Sequence, residues 1–581
     1  MQNRLSERLL EATIISIRWE RVIVHIDVQL KYKDGALPGM DLDFYAVDKS
    51  FAVGALFQRK VLQEGLVRLS LNITNTGDCK CLRMGSYQLY ACNRQDILAK
   101  CVVDPAVVPE IENYSRSFLH HNRGRGYLVN FYVSEEDEAG LALLMHTMDA
   151  AKVEMEPPSD TKIMKSAITG PLITLRKNAG RMRWRYCYRK YVKHYQKRQK
   201  TIMFMTEQSD KIGGNLAAVY KRICERGLDK EYTILFSARP QSYIKQKRSS
   251  TKELLKKLAK CDMVFVDDHV PLFDWLELDK RTSLIQLWHA GAGFKSSGYS
   301  RWGHIGCPAP VSCHRQYAYG ISGSKNIAMF FSEVFGITDE QILPTGMPRM
   351  DEYLDEAYRR EKTEELYQLY PACKGKKVIL FAPTYRGKNR GDAHYPYEMI
   401  DFGRLYNFCK EEGYVVLFKM HPWVREGVPI EDNYKDAFFD VNAFPNINDL
   451  FYITEILITD YSSNIFEYSL MKKPMLFFAF DKIQYSFSRG FHRDYEEAAP
   501  GKVCYTFPEV MAALEQKDYE YEKVEEYVRK HFDYIDSSAS DRVIDWILLG
   551  NLPEELKKGL QHNQDVLKRI HSLDFSVLGH V

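Results

Sequence analysis

The stretch 456-ILITDYSSNIFEYSLMKKPMLFFAFD-481 indicates which kind of fold the rest of the chain is expected to have. It begins with an apolar run, Ile456 to Ile458, and turns through Thr459 to Ser463 before a segment with helical spacing. Lys473-Pro474 ends that helix, and a second apolar run, Met475 to Phe480, follows. A strand, a turn, a helix and a further strand in this order are typical of a parallel βαβ unit.

The turn within this stretch carries hydroxyl groups where the helix is expected to begin. Ser462 and Ser463 lie at that point, and Glu467 follows one helical turn later. The first turn of a helix has unpaired N–H groups and a partial positive charge, so it suits phosphate. The Glu467 carboxylate can accept hydrogen bonds from a ribose diol. Simple capping by the serines, with Glu467 on a solvated face, is the alternative that these residues leave open.

The same alternation of strands and helices extends over much of the chain. One series runs over roughly 201–360 and a second over roughly 375–545, separated by a charged helix from Asp351 to Tyr370. The predicted fold class is therefore α/β, with two facing Rossmann-like domains. Ligands of such domains bind at the carboxyl ends of the strands, in the cleft between the two sheets.

The N-terminal region has a different pattern. Residues 13–105 alternate apolar and polar positions with period two, which predicts a small antiparallel β-sandwich domain. Beyond it, Tyr127–Val133 has the pattern of another strand and Glu135–Ala150 that of a helix. The predicted domains are 1–125, β-rich; 126–200, a helical linker; 201–370, the first Rossmann-like domain; and 371–581, the second Rossmann-like domain with a C-terminal helix. The β-rich domain has no catalytic cluster, so docking and structural support are both open roles.

A basic and aromatic segment lies at residues 176–200. It contains eleven Arg and Lys residues and five Trp and Tyr residues, without one acidic side chain. This composition favours an anionic membrane surface or a polyphosphate polymer as its partner. A nucleic-acid partner, or a solvated helix packed by its aromatics against the next domain, are the other interpretations.

Composition narrows the class of protein. The 581 residues carry a net charge of +3, are 45% hydrophobic, and include 12 scattered cysteines. The cysteines have no zinc-binding spacing, and the N-terminus has no signal-peptide pattern, so a reducing cytosol is expected. No apolar run approaches the ~18 residues of a transmembrane helix, so any membrane contact is expected to be peripheral.

Several side chains with catalytic chemistry directly follow predicted strands. His289 and Lys295 lie in 286-QLWHAGAGFKSSGYSR-301, and His421 lies in KMHP at 419–422. A histidine at such a place is a candidate general base, and the cations suit a diphosphate-linked donor. Walker A, GxGxxG and HExxH motifs are absent from the sequence, which disfavours P-loop hydrolysis, hydride transfer and zinc hydrolysis. We expect no metal and no cofactor. Further candidates at turns are Thr384, Arg386 and Arg349.

Five ordered motifs carry a resemblance to a known family. They are WHAGAGFK at 288–295, GMPRMD at 346–351, APTYRG at 382–387, KMHP at 419–422 and LITDYSSNIFEYSLMKKPMLFFAFD at 457–481. With these motifs the chain resembles the CDP-glycerol glycerophosphotransferase family, the teichoic-acid polymerase-like enzymes. The resemblance implies a fold similar to the two-Rossmann B type of glycosyltransferases. It also implies transfer of a polyol phosphate from a CDP-polyol to an acceptor, with release of CMP, at the cytoplasmic face of the membrane.

The resemblance also implies that 201–370 is the acceptor-side domain and that 371–581 is the CDP-donor-binding domain, and it implies roles for individual residues. His289 would be the base for the acceptor hydroxyl, and His421 with Arg386 would stabilise the diphosphate. Where the family has His-Gly-Thr-Pro, this chain has His289-Ala290-Gly291-Ala292, which leaves the polyol and the acceptor open. The remaining substrate-binding candidates are Ser462 and Ser463 for phosphate, Asp460 for the turn, Glu467 for ribose, and Lys295, Arg349 and Thr384.

The implied partners are a CDP-polyol donor, a polyol-phosphate polymer or lipid-linked acceptor, and an anionic membrane surface; no nucleic acid is expected. Glycerol is the first choice of polyol and ribitol the second. A sugar-nucleotide glycosyltransferase or epimerase of the same fold, and a non-catalytic docking protein for polymer or membrane, are the other hypotheses.

Overall fold

The computed structural model of the chain describes residues 10–32, 42–48, 53–77, 79–93, 97–120, 125–134, 140–150, 178–195, 200–239, 248–291, 295–304, 307–308, 313–387 and 390–572. Among the residues in these ranges the strands form three sheets, one for the N-terminal region and one for each α/β series. The predicted α/β architecture with a preceding β domain is confirmed.

The N-terminal strands form one hydrogen-bonded network of eleven strands. Along β2 every second side chain is buried at Val24, Ile26 and Val28, as period-two alternation predicts. The pairings are antiparallel except for a parallel pair between the first strand and the eighth. The strands are β1 Leu10–Glu20, β2 Ile23–Tyr32, β3 Asp43–Asp48, β4 Val53–Leu56, β5 Gln58–Gln63, β6 Leu66–Asn72, β7 Gly85–Cys92, β8 Ile97–Val103, β9 Arg116–His120, β10 Arg125–Ser134 and β11 Ala142–Ala150.

The helix predicted over Glu135–Ala150 is wrong for the described part of that range. Ala142–Ala150 is strand β11, which pairs in register with β10 over its whole length and with β7 on its other side. Its Leu, Met and Ala residues have good helix propensity, but pairing on both edges outweighs that local preference. Since the sheet extends past the boundary at residue 125, we propose that the N-terminal domain runs to Ala150.

The first α/β domain has a six-stranded parallel sheet in the order β13-β12-β14-β15-β16-β17. Strand β12 is buried at every position, as a parallel sheet covered by helices on both faces requires. Its strands are β12 Thr201–Thr206, β13 Thr233–Ala238, β14 Met263–Val266, β15 Ser283–Gln286, β16 Tyr317–Ile321 and β17 Ile342–Leu343. Its helices are α1 at 178–194, α2 Gly214–Glu225, α3 Arg248–Leu258, α4 Ala328–Phe335, α5 Met350–Tyr353 and α6 Glu356–Leu369.

The second α/β domain repeats this plan with the order β20-β19-β18-β21-β22-β23, again all parallel. Its strands are β18 Lys377–Phe381, β19 Tyr414–Phe418, β20 Phe438–Asp440, β21 Ile456–Thr459, β22 Met475–Phe478 and β23 Lys502–Cys504. The chain order reverses between β18 and β21, and ligands of such sheets bind beyond the carboxyl ends of strands at this point. Its helices are α7 Phe402–Glu412, α8 Ile447–Leu450, α9 Ile465–Ser469, α10 Lys482–Ser488, α11 Tyr495–Ala498, α12 Phe507–Gln516 and α13 Glu522–His531.

The C-terminal segment crosses back to the first α/β domain. It comprises α14 Ala539–Arg542, a π-helical turn Val543–Leu548 and α15 Glu554–Ser572. The backbone N–H groups of Ala539 and Ser540 donate to the Asp351 carboxylate at 2.8 and 2.7 Å. The predicted C-terminal helix is confirmed. We propose that this segment belongs structurally to the first α/β domain rather than to the donor domain.

Candidate active site

A cavity of about 230 Å³ lies between the two α/β domains. His289 and Lys295 line it from the first domain, and Tyr461, Ser463 and His492 line it from the second. The structure therefore brings the candidates His289 and Lys295 close to the candidate Ser463, which lies more than 165 residues later in the chain.

The turn that presents His289 is strained and firmly held. Trp288, just beyond β15, has a φ of +50°, a left-handed conformation that is costly for a residue other than glycine. The Asn215 amide donates to the carbonyl oxygens of Leu287 and Trp288 at 2.8 and 2.9 Å, and Trp288 N–H donates to Gln286 Oε1 at 2.8 Å. These bonds fix the turn, and the His289 side chain remains 50% exposed at the cavity.

The hydrogen bond of His289 determines which ring nitrogen can act as a base. Its Nδ1 lies 2.9 Å from the backbone carbonyl oxygen of Asp267. A carbonyl only accepts, so we assign the proton of the neutral ring to Nδ1, which leaves the Nε2 lone pair available. The Asp268 carboxylate lies 4.0 Å from Nδ1.

His421 has the opposite arrangement. Its Nδ1 accepts a hydrogen bond of 3.2 Å from the backbone N–H of Trp423, so the neutral ring carries its proton on Nε2. Burial, together with the charges of Lys295 and Arg489, lowers the pKa of His421 to about 4. His421 is therefore neutral near pH 7, with an Nε2–H group that can donate to a phosphate oxygen.

Lys295 links the two domains. Its backbone pairs with Phe491 of the second domain, and its side chain lines the cavity. Burial lowers the pKa of Lys295 to about 8, while the charge of Asp460 partly counteracts that effect. The group is a cation near pH 7 and loses its charge a little above that.

Arg386 is bound to protein carboxylates rather than open to a ligand. Its Nε and Nη2 donate to the two oxygens of Asp481 at 2.6 and 2.8 Å, and its Nη1 donates to Asp460 Oδ2 at 2.8 Å and to the Thr384 carbonyl at 2.7 Å. Asp481 thus occupies the forked face of the guanidinium, and the diphosphate contact that the resemblance implies for Arg386 stays a prediction. Arg386 instead ties together the turns that follow β18, β21 and β22.

Asp460 and Thr384 form the floor of the crevice at the carboxyl ends of β18 and β21. The fully buried Asp460 carboxylate accepts from the Thr384 N–H at 2.7 Å, in addition to Arg386. The Thr384 hydroxyl is buried and has no hydrogen-bond partner among the residues that the structure describes. A buried hydroxyl of this kind is costly unless it meets a ligand or water, so it is a candidate contact for the donor.

The two serines do not cap helix α9. The N-cap is Asn464, and Ser462 Oγ accepts a hydrogen bond of 3.3 Å from Asn464 N–H before the helix begins. Both serines are half-buried, and Ser463 faces the cavity. The capping alternative is therefore not supported. Helix α9 has five residues, so it is also too short for a large dipole.

Glu467 and Arg349 pair with each other. The Glu467 side chain is 2% exposed and accepts an ion-pair hydrogen bond from Arg349 Nη2. Arg349 Nη1 also donates to the His289 carbonyl oxygen, and its backbone N–H donates to Asn215 at 3.0 Å. In this arrangement the pair joins the α9 segment to the His289 turn, and the ribose contact expected of Glu467 stays a prediction.

Among the residues of the site, Asp481, Asp267 and His492 were not sequence candidates. Asp481 ends the opening stretch and follows β22, so its position after a strand was an available signal. Asp267 follows β14 in the same way. His492 lies outside strands and motifs, and no pattern in the sequence marks it.

The described residues include neither a metal-binding cluster nor a helix suited to cross a membrane. In the ranges that the structure describes, no group of three or more His, Cys, Asp or Glu side chains is placed to hold a metal ion. Within those same ranges no helix has both the length and the apolar character to cross a membrane.

Comparison with known proteins gives consistent matches. The model of a family described as CDP-Glycerol:Poly(glycerophosphate) glycerophosphotransferase matches residues 187–549. Teichoic acid ribitol-phosphate polymerases TarL and TarK of Staphylococcus aureus are each 40% identical over 60% of this chain, covering 62% and 68% of their own lengths. A teichoic acid poly(ribitol-phosphate) polymerase of Bacillus spizizenii is 39% identical over 60% of this chain and 56% of its own length. The chain thus matches only part of each relative.

A solved structure supports the fold. The wall teichoic acid polymerase TagF superposes with a TM-score of 0.51 and 24% identity, over 70% of this chain and 100% of that chain. At this level of identity the match bears on the fold, and it agrees with two facing α/β domains.

Proposed function

Because this chain belongs to the CDP-glycerol:poly(glycerophosphate) glycerophosphotransferase family, we propose that it transfers a polyol phosphate from a CDP-polyol to a hydroxyl of a teichoic-acid chain or its lipid-linked precursor. CMP is the second product. The observation that carries this proposal is the pair of histidines with complementary free nitrogens, an acceptor at His289 and a donor at His421.

Ribitol phosphate is the proposed unit. Glycerol is the first choice of polyol from the sequence motifs, but the relatives at 39–40% identity are ribitol-phosphate polymerases. Relatives named for glycerol phosphate match less well, such as a teichoic acid glycerol-phosphate primase of Bacillus subtilis at 30% identity over 49% of this chain. The relatives therefore favour ribitol over glycerol.

The proposed reaction is an in-line displacement at the β-phosphorus of the donor. Nε2 of His289 takes the proton of the acceptor hydroxyl, and the oxygen forms a bond to that phosphorus. The bond from the β-phosphorus to the oxygen it shares with the α-phosphate breaks, and CMP leaves with the electron pair. The Nε2–H group of His421 and the Lys295 cation stabilise the charge that develops on the phosphate oxygens.

The other candidates would hold the donor or shape its site. We propose that the unpartnered Thr384 hydroxyl and the half-buried hydroxyls of Ser462 and Ser463 bind the diphosphate. Arg386 and Asp460 then act as positioning residues, since their charges are directed at each other and at Asp481. Glu467 would contact the ribose only with the Arg349 pair rearranged.

We also propose that helix α1 binds an anionic membrane at its cytoplasmic face. Tyr188 is 3% exposed and Val192 is 9% exposed, so they fix the helix to the first α/β domain. On the opposite side Met182 and Tyr186 are exposed among cations, a combination typical of interfacial helices. The exposed cations of the helix are Arg183, Arg185, Arg189, Lys190 and Lys193, of which Arg185 also donates to the Trp275 carbonyl oxygen of the first α/β domain.

A donor comparison tests the proposed reaction. The full chain is incubated with a lipid-linked polyol-phosphate acceptor and CDP-ribitol, CDP-glycerol or UDP-N-acetylglucosamine, and the released nucleotide is quantified. We expect CMP, faster from CDP-ribitol than from CDP-glycerol, and no UDP. Release of UDP would favour a glycosyltransferase, and absence of any nucleotide would favour a docking protein.

A further inference from the structure

The Arg21 side chain connects the N-terminal β domain to the first α/β domain beside the cavity. Arg21 lies in the turn between β1 and β2 with a φ of +53°, a conformation that is strained for arginine. Its Nε and Nη2 donate to the Glu333 carboxylate of helix α4 at 2.9 and 2.8 Å. A strained residue that forms a forked ion pair between two domains points to a positional role.

Glu333 connects this contact to the catalytic cavity. Its side chain is 3% exposed, and its Oε2 lies 3.6 Å from Nε2 of His492 in the second α/β domain. His492 is 5% exposed, packs against the ring of Phe330 at 5.3 Å, and lines the cavity that holds His289 and Lys295. Three domains therefore meet at one buried carboxylate beside the site.

The N-terminal β domain is held against the first α/β domain by a shared hydrophobic core and by hydrogen bonds. Tyr299 and Trp302 of the first α/β domain are buried within the N-terminal hydrophobic core, a few residues after Lys295. Arg315 donates to the Thr74 carbonyl at 2.6 Å, and the Asn75 amide donates to the Ile337 carbonyl at 2.9 Å. These contacts fix the position of the β domain relative to the first α/β domain.

We propose that Arg21 is a positioning residue of the transfer reaction: through Glu333 it holds His492 in the cavity wall, where the imidazole contacts the polyol of the acceptor. This inference rests on the proposed transferase function. It gives the N-terminal β domain a role in acceptor use that goes beyond docking or passive support.

The charges around His492 make the proposed role of Arg21 measurable through the pKa of His492. Burial and the charges of Arg21 and Arg493 lower the pKa of His492, whereas Glu333 acts in the opposite direction. The cavity side presents His289 and Lys295, and Arg493 donates to His531 of α13 at 2.9 Å. Without Arg21 the Glu333 charge is compensated mainly by His492, so the pKa of His492 rises and the ring becomes charged at a higher pH.

The test compares Arg21→Ala with Arg68→Ala. Arg68 forms an equally forked pair with Asp27 at 2.7 Å inside the same sheet, so it is a control for the loss of an N-terminal ion pair. Alanine and arginine are both strained at φ +53°, so the variant chiefly removes the side chain. For Arg21→Ala we expect an about tenfold higher KM for the acceptor, a KM for the donor that is nearly unchanged, and an acid limb of kcat/KM moved to higher pH. Arg68→Ala should show none of these changes.

Two further variants complete the test. Arg21→Lys keeps the charge and should partly restore acceptor KM, and His492→Gln should raise acceptor KM without the shifted acid limb. If Arg21→Ala and Arg68→Ala have the same kinetics and the same pH profile, the inference is wrong. If Arg21→Ala does not fold, an unchanged acceptor KM in His492→Gln is the contradicting result. Wild-type protein that releases no CMP would instead contradict the proposed function, so the two failures are distinct.

Discussion

His289 and His421 differ in which ring nitrogen is free, and substitutions by glutamine should separate their roles. Glutamine can donate a hydrogen bond but is not a base, so His421→Gln should retain more activity than His421→Ala. His289→Gln should be as poor as His289→Ala, with kcat lowered by about 10²- to 10⁴-fold. Single-turnover CMP release measures this. Equal losses for both glutamine variants would contradict the assignment of base and donor.

Lys295 should produce an alkaline limb in the pH profile. Its pKa of about 8 means that the free enzyme has the cation below that pH and loses it as pH rises through that value. The kcat/KM for the donor, which reports the free enzyme, should therefore fall above about pH 8. Lys295→Arg should remove the limb, because arginine stays charged. A limb that persists unchanged in Lys295→Arg would show that another group titrates.

Arg386 should contribute to stability more than an exposed ion pair does. Arg386→Ala leaves the buried Asp460 carboxylate and the half-buried Asp481 carboxylate without their partner, which costs about 3–5 kcal/mol in free energy of unfolding. Arg404→Ala, which breaks an exposed pair with Glu515, is the control and should cost about 0–1 kcal/mol. Denaturant unfolding measures both. Equal values would contradict the view that Arg386 is a structural clamp.

At the scale of single residues, the sequence predicted which residues belong to the site better than it predicted the groups that bind them. The position of Arg386 after a strand was visible, but the carboxylate that occupies it comes from another strand about a hundred residues away. His289 and His421 were both visible as residues after strands. Their tautomers depend on backbone groups of Asp267 and Trp423, which no spacing rule reveals.

At the scale of elements, helix α9 packs directly against the His289 turn. A Cβ added to Gly291 would lie 2.2 Å from the ring of Phe466, so Gly291→Ala must push α9 away from the turn. We expect a marked loss of kcat with a smaller change in Tm. Gly180→Ala in helix α1, where nothing lies within 4 Å, is the control and should be neutral or slightly stabilising. Full activity of Gly291→Ala would contradict close packing here.

Helix α1 should bind anionic vesicles through its exposed cations. The double variant Arg183→Gln and Arg189→Gln removes two charges, each worth about 1 kcal/mol near an anionic surface, so vesicle affinity should fall more than tenfold. Lys410→Gln with Lys435→Gln removes the same charge from the second α/β domain and is the control. Co-sedimentation in 0.05 and 0.5 M salt measures this. Binding that does not depend on salt would contradict an electrostatic contact.

Element types followed from the sequence wherever periodicity was long and consistent. Strands β21 and β22 are examples, since apolar runs separated by helical spacing have few alternatives, whereas the short strands β17, β20 and β23 were not predicted. Strand β11 is the counterexample: its residues favour a helix locally, and its pairing with the preceding strand β10 and with the more distant β7 was not visible in the sequence.

For the molecule as a whole, the two α/β domains and their cleft were predictable, whereas the assembly around them was not. The C-terminal segment returns to the first α/β domain, and the N-terminal sheet places Arg21 on Glu333. Such contacts between distant segments depend on shape and on single ion pairs, for which one sequence carries no periodic signal. They nevertheless decide which side chains surround the catalytic cavity.

The mass of the acceptor after one round of reaction tests the proposed transfer most directly. A lipid-linked acceptor of defined length is incubated with the full chain and CDP-ribitol, and acceptor mass and CMP are measured together. We predict that the acceptor gains whole ribitol-phosphate units, with one CMP released per unit, and that His289→Ala forms neither. An acceptor whose mass stays unchanged, or a gain without an equal amount of CMP, would contradict the proposed transfer.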